Sequence, residues 1–83
     1  MPEVVLYTKA DCSLCTDAKQ MLARLSGRYP HQLVEIDITQ DETLFNRYRY
    51  RIPVLVIAGR EFAAPIDPQK LEEALIAGRL PEQ

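Results

Sequence analysis

Cys12 and Cys15 are the only two cysteines in a chain of 83 residues, and Ser13 and Leu14 separate them. Two thiols at this spacing can fill core positions, share a metal, or exchange two electrons as a dithiol–disulfide couple. A bridge between them closes a loop too small to stabilise a fold through chain entropy, so a structural disulfide framework is ruled out. Zinc needs about four ligands, and the chain adds only His31, which reads as a surface residue of the Tyr29-Pro30-His31 loop. No metal site is expected from this set. If the two cysteines stand on the first turn of a helix, their side chains share a face and a disulfide is within reach.

The surrounding pattern puts them there. Val4 to Thr8 is rich in β-branched residues and bounded by Pro2, Lys9 and Asp11, as expected of a short buried strand. From Ser13 the period changes. Leu14, Ala18, Met21, Leu22 and Leu25 recur at helical spacing, with Gly27 placed to stop the helix. The thiol pair therefore belongs to a strand-to-helix junction. Free backbone N–H groups in a first helical turn favour an anion by about 0.3–1 kcal/mol, up to ~2 in a partly buried geometry. A thiolate at Cys12 gains from that field and from a cationic Lys9, whereas the Asp11 carboxylate opposes both. Cys15, one turn inside the helix, should be more buried and less ionised, which suits a resolving thiol.

The remaining elements follow from period and punctuation. Leu33 to Ile38 alternates apolar residues with Glu35 and Asp37 and reads as a half-buried strand. Thr39-Gln40-Asp41-Glu42 offers helix-start chemistry, and Leu44, Phe45 and Tyr48 supply the inner stripe of a short second helix. Pro53 stands just before the apolar run Val54–Ile57, where a strand tolerates proline. Gly59 turns the chain into an antiparallel strand, Arg60 to Ala63. Asp67-Pro68 reads as a helix cap followed by proline at the first helical position, with Leu71, Leu75 and Ile76 inward and Gly78 closing. The expectation is one α/β domain over residues 1–83, ordered β-α-β-α-β-β-α, with a mixed four-stranded sheet and three helices. Tyr7, Phe45 and Phe62 are expected to pack in its core.

Composition narrows the partners. Ten basic and twelve acidic side chains leave a net charge of −2, which provides no broad field for nucleic acid or an anionic membrane. With 47% hydrophobic and 27% charged residues the chain is expected to fold by itself. The segment Met1 to Leu6 carries neither an export signal nor an apolar stretch of spanning length, so a cytoplasmic location is expected. The basic and aromatic run Arg47-Tyr48-Arg49-Tyr50-Arg51 leads into Ile52-Pro53. It reads either as the solvated end of the second helix or as a patch for carboxylates of a ligand or acidic partner.

Tyr7-Thr8-Lys9-Ala10-Asp11-Cys12-Ser13-Leu14-Cys15, together with Ile52-Pro53-Val54, resembles the glutaredoxins, and more narrowly the small bacterial glutaredoxin-like proteins of the thioredoxin fold. The resemblance spans Val4 to about Gly78. It implies that Cys12 is the nucleophile and Cys15 the resolving thiol, and that the Ile52–Pro53 peptide is cis and lies beside them. It further implies that the N–H and C=O of Ile52 pair with an extended peptide or glutathione segment, that Lys9 meets a glutathione carboxylate, and that Asp67 remains from an acidic ligand-binding pair. Two stretches depart from the family pattern. Ser13-Leu14 replaces the usual Pro-Tyr between the cysteines, and Ala63-Ala64-Pro65-Ile66 replaces a Gly-Gly turn.

The activity implied is thiol–disulfide exchange on protein or glutathione mixed disulfides. No bound cofactor is needed, glutathione is a co-substrate or a reductase protein the electron donor, and the chain is expected to act as a monomer. Two other readings remain open at this point: a thioredoxin-fold adaptor with silent cysteines, and a metal or iron–sulfur carrier using the thiol pair.

Overall fold

The computed structural model describes residues 2–79. Strand β1 (Glu3–Thr8) lies inside the sheet, followed by helix α1 (Ser13–Leu25) and strand β2 (Gln32–Asp37). A single 3-10 turn (Ile38–Gln40) leads to helix α2 (Glu42–Tyr48), strands β3 (Val54–Ile57) and β4 (Arg60–Ala63), and helix α3 (Pro68–Arg79). The strand order is β2-β1-β3-β4, with β1 parallel to β2 and antiparallel to β3, and β3 antiparallel to β4. This is the mixed four-stranded α/β arrangement that the sequence predicts.

Alternation along the strands sorts two apolar layers, because successive strand residues point to opposite faces. Val4 and Leu6 of β1 and Leu55 and Ile57 of β3 meet Leu22 of α1 and Leu71, Ala74 and Leu75 of α3 on one face. Val54 points the other way, toward Ile38 and Tyr48, with Tyr7, Leu44, Phe45 and Ile52 packed around them. Tyr7 and Tyr48 stack with ring centroids 4.5 Å apart. Thus α1 and α3 cover one face, and α2 covers the other.

Three local expectations differ. Helix α1 ends before Gly27: Ser26 remains right-handed, and its hydroxyl donates to the Ala23 carbonyl at 2.8 Å, taking up an acceptor of the last turn. Gly78 does not close α3 but lies within it, where an added Cβ would come 3.2 Å from Cβ of Pro2. That glycine serves close packing. Ile76 is 39% exposed, since it stands about 100° around the helix from the buried Leu75.

The β3–β4 connection is a two-residue hairpin, with Ile57 paired to Arg60. Ala58 (φ 52°) and Gly59 (φ 78°) both adopt the left-handed region that this turn geometry requires.

Candidate active site

The ends of three strands and the start of a fourth converge at one end of the sheet. Thr8, the last residue of β1, pairs with Asp37, the last of β2. Tyr7 pairs with Val54, so the antiparallel register sets Pro53 level with Thr8. On the far side, the Ala64 N–H donates to the Pro53 carbonyl at 3.2 Å. The thiol loop, Pro53 and the segment after β4 therefore occupy the same end.

Cys12 is placed there by its own backbone. Asp11 has φ 59°, a left-handed conformation that aspartate tolerates better than most residues, and it turns the chain from β1 toward the helix. Cys12 then becomes the N-cap of α1, in extended geometry, where serine, threonine, aspartate or asparagine usually stands. Its sulfur accepts the backbone N–H of Cys15 at 3.2 Å, and its carbonyl accepts the N–H of Thr16 at 3.1 Å. A cap position satisfies otherwise unpaired helical N–H groups with an acceptor, and a thiolate is a stronger acceptor than a thiol. The local fold thus aims a backbone donor of the first helical turn at the Cys12 sulfur.

The partner sulfur differs in every respect that matters. Cys15 is 2% exposed, whereas Cys12 is half-buried and lines an open cleft. The two Cα atoms are 5.2 Å apart, and the sulfurs are joined as a disulfide. The arrangement can store and release two electrons, with one sulfur reachable and the other shielded.

Two depressions flank the pair. One, of about 520 Å³, is polar and is lined by Thr8, Lys9, Asp11, Cys12, Thr16 and Lys19. Lys9 is exposed on its rim, while Lys19 is held by Glu35 at 3.2 Å. The other, of about 470 Å³, is an apolar groove between α1 and the segment following β4. Leu14, from between the cysteines, borders it and is 56% exposed. The helical spacing predicts Leu14 in the buried stripe, but on the first turn of α1 it lies outside both apolar layers and borders the groove instead.

The proline loop carries one correction. The Ile52–Pro53 peptide is cis, and so is Ala64–Pro65. The N–H of Ile52, however, is donated to the Tyr48 carbonyl at 3.1 Å, and the Arg51 N–H shares that carbonyl at 2.8 Å. The final turn of α2 runs so close to Pro53 that it claims this donor, so the Ile52 N–H is not free. Asp67 is likewise engaged: its carboxylate accepts the Gln69 N–H at 2.9 Å, as a cap of α3.

Residues beyond those singled out from sequence hold the loop. Glu61 on β4 accepts from the Tyr48 hydroxyl at 3.2 Å and from Arg51 at 3.1 Å, tying the end of α2 across to the sheet. Burial, with the nearby Glu61 charge second, raises the Tyr48 phenol above its usual range. Arg51 is thereby a structural tether, while Arg49 lies over the Tyr50 ring at 4.6 Å. Among the described residues no group of three or more His, Cys, Asp or Glu side chains is arranged to hold a metal ion. His31 meets the Tyr29 carbonyl at 2.9 Å, away from the thiols in sequence. No helix among the described residues is long and apolar enough to cross a membrane.

Comparison with known proteins agrees with this geometry. The sequence model of the glutaredoxin-like domain (DUF836) matches residues 3–80. An uncharacterized protein of Mycobacterium tuberculosis is 32% identical over 65 residues, which cover 72% of this chain and 67% of that protein. The X-ray structure of the protein XcR50 from X. campestris superposes with a TM-score of 0.76 at 33% identity, covering 89% of this chain and 96% of that one. The solution structure of the protein Ne2328 from Nitrosomonas europaea gives 0.76 at 25% identity, with 87% and 88% covered. Oxidized thioredoxin O2 from Arabidopsis thaliana shares the fold, with a TM-score of 0.68 at 21% identity over 93% of this chain and 74% of that one.

Proposed function

The chain belongs to the glutaredoxin-like domain (DUF836) family, and on that footing we propose that it is a thiol–disulfide oxidoreductase in which Cys12 attacks and Cys15 resolves. The observation that carries this reading is the cap geometry of Cys12, whose reachable sulfur accepts the Cys15 N–H at 3.2 Å. In the reduced protein the Cys12 thiolate attacks one sulfur of a substrate disulfide, forming a mixed disulfide and expelling the other sulfur as a thiolate, which takes a proton from water. Cys15, deprotonated, then attacks Cys12 Sγ. The bond to the substrate breaks, the second substrate sulfur leaves as thiolate, and the Cys12–Cys15 disulfide retains the oxidation equivalent. Two electrons pass from the dithiol to the substrate.

Lys9, exposed on the polar cleft, is the cation positioned to meet a carboxylate of the substrate, and the Ile52 carbonyl beside Pro53 is the acceptor for its backbone. Asp67 contributes as the cap that holds the start of α3. Return to the dithiol draws on glutathione or a reductase protein in the cytoplasm.

The Cys15→Ser variant tests the assignment. Offered a disulfide substrate, it should accumulate a mixed disulfide on Cys12 that peptide mass mapping locates. An adduct on neither position, with the protein folded, contradicts the reading and favours an adaptor with silent thiols.

A further inference from the structure

The apolar groove beside the thiols is not accounted for by exchange chemistry alone. It is formed by Leu14, Asp17 and Met21 along α1 and by Ala64, Pro65 and Ile66 opposite. From there the surface depression continues past Met21, between α1 and the beginning of α3. Leu14, which stands between the two cysteines in the sequence, is 56% exposed at the mouth of the groove and adds to its apolar surface. Leu14 is two residues from Cys12, so the mouth of the groove lies within reach of a chain bonded to that sulfur. Among the described residues Asp17, exposed, is the only charged side chain lining the part of the groove beside the thiols, so the rim there disfavours carboxylates and accepts neutral or basic groups, while Arg24 and Glu72 line its continuation.

Resting on the oxidoreductase reading, we propose that this groove is a side-chain subsite for a polypeptide substrate, taking a large aliphatic or aromatic residue next to the substrate's redox cysteine. The seven residue steps from Leu14 to Met21 span about 10 Å of helix, which an extended peptide covers in about three residues. The preferred side chain therefore stands one to three positions from the cysteine. The groove adds nothing for glutathione, a small molecule with no apolar side chain to place in it, whose carboxylates would face the Lys9 cleft instead. Ala64, Pro65 and Ile66, which depart from the glutaredoxin pattern in sequence, are the residues that form the apolar wall.

The test uses the reduced full chain and single-cysteine heptapeptides carried as mixed disulfides with 5-thio-2-nitrobenzoate, whose release is followed by absorbance. Attack of Cys12 on the peptide sulfur expels the aromatic thiolate as the better leaving group. Peptides with leucine or phenylalanine beside the cysteine should react about tenfold faster than the serine peptide, as partial burial of one such side chain allows. The glutamate peptide should be slowest, and Asp17→Asn should narrow its deficit. Leu14→Ser and Met21→Gln should each bring the leucine-to-serine ratio toward one; Leu14, being exposed, provides the variant that keeps the core intact. Equal rates for all peptides, or a ratio that survives both substitutions, overturn the subsite and leave the exchange reading standing. No reaction with any peptide overturns both. A dimer in sedimentation velocity that Leu14→Ser dissolves would assign the groove to a second copy of the chain and also overturn the proposal.

Discussion

The two ends of the sheet are built from the same four strands and serve opposite purposes. At one end Asp11 turns left-handed into a capping cysteine, both cis peptides occur, and Leu14 stands exposed over an apolar groove. At the other, β3 and β4 are joined through Ala58 and Gly59 alone, and Gly78 brings α3 against Pro2. That end also has a depression, of about 390 Å³, but among the described residues its lining holds no cysteine and no cation. A hollow is therefore not what makes a site. What distinguishes the thiol end is a half-buried sulfur joined to the positive end of a helix, with surfaces of different character on either side of it.

Substitutions at the two ends should separate activity from stability. The largest effect is expected for Cys12→Ser, which should reduce disulfide exchange to the uncatalysed background. Urea unfolding of the reduced protein should shift by no more than about 1 kcal/mol, because Cys12 is only half-buried. Between the two ends, Leu55→Ala removes a fully buried side chain from the middle of β3 and should cost about 2–5 kcal/mol in the same measurement. A loss below about 1 kcal/mol would mean that the two-layer core is drawn wrongly.

At the closed end, Gly59→Val forces a β-branched residue to φ 78° and should cost about 1–2 kcal/mol, with an unchanged exchange rate in the folded fraction. A fall in that rate would join what the comparison holds apart. The smallest effect belongs to Asp37, whose carboxyl is held below its ordinary 3.8 by hydrogen bonds from the hydroxyl and the N–H of Thr39. Because the folded value is the lower one, its contribution is present above the ordinary carboxylate range and disappears as pH falls through the lowered value. Acid-side unfolding curves of wild type and Asp37→Asn should converge there.

Much of this was legible in the sequence for physical reasons. The change of period at Ser13, the Asp67-Pro68 cap and the turn at Gly59 are local signals, so the element order could be read and the cysteines placed at a strand-to-helix junction. Contacts between distant segments were not legible. The Glu61 tether joins residues 10 and 13 positions apart through side chains whose individual types are ordinary on any surface. Leu14 fits a buried helical stripe by spacing, and only the assembled fold shows that neither apolar layer includes it. The engagement of the Ile52 N–H depends on how tightly α2 ends, which no residue type announces.

The central claim is that the fold makes Cys12 the more acidic and the more accessible of the two thiols. Iodoacetamide alkylation of the reduced protein across pH, with mass mapping of each cysteine, measures both properties at once. Cys12 should be modified first, and its rate should level off at a lower pH than that of a cysteine in an unstructured peptide, while Cys15 remains protected in the folded chain. If both thiols react slowly and follow the pH dependence of the unstructured peptide, the cap does not activate the sulfur and the account fails.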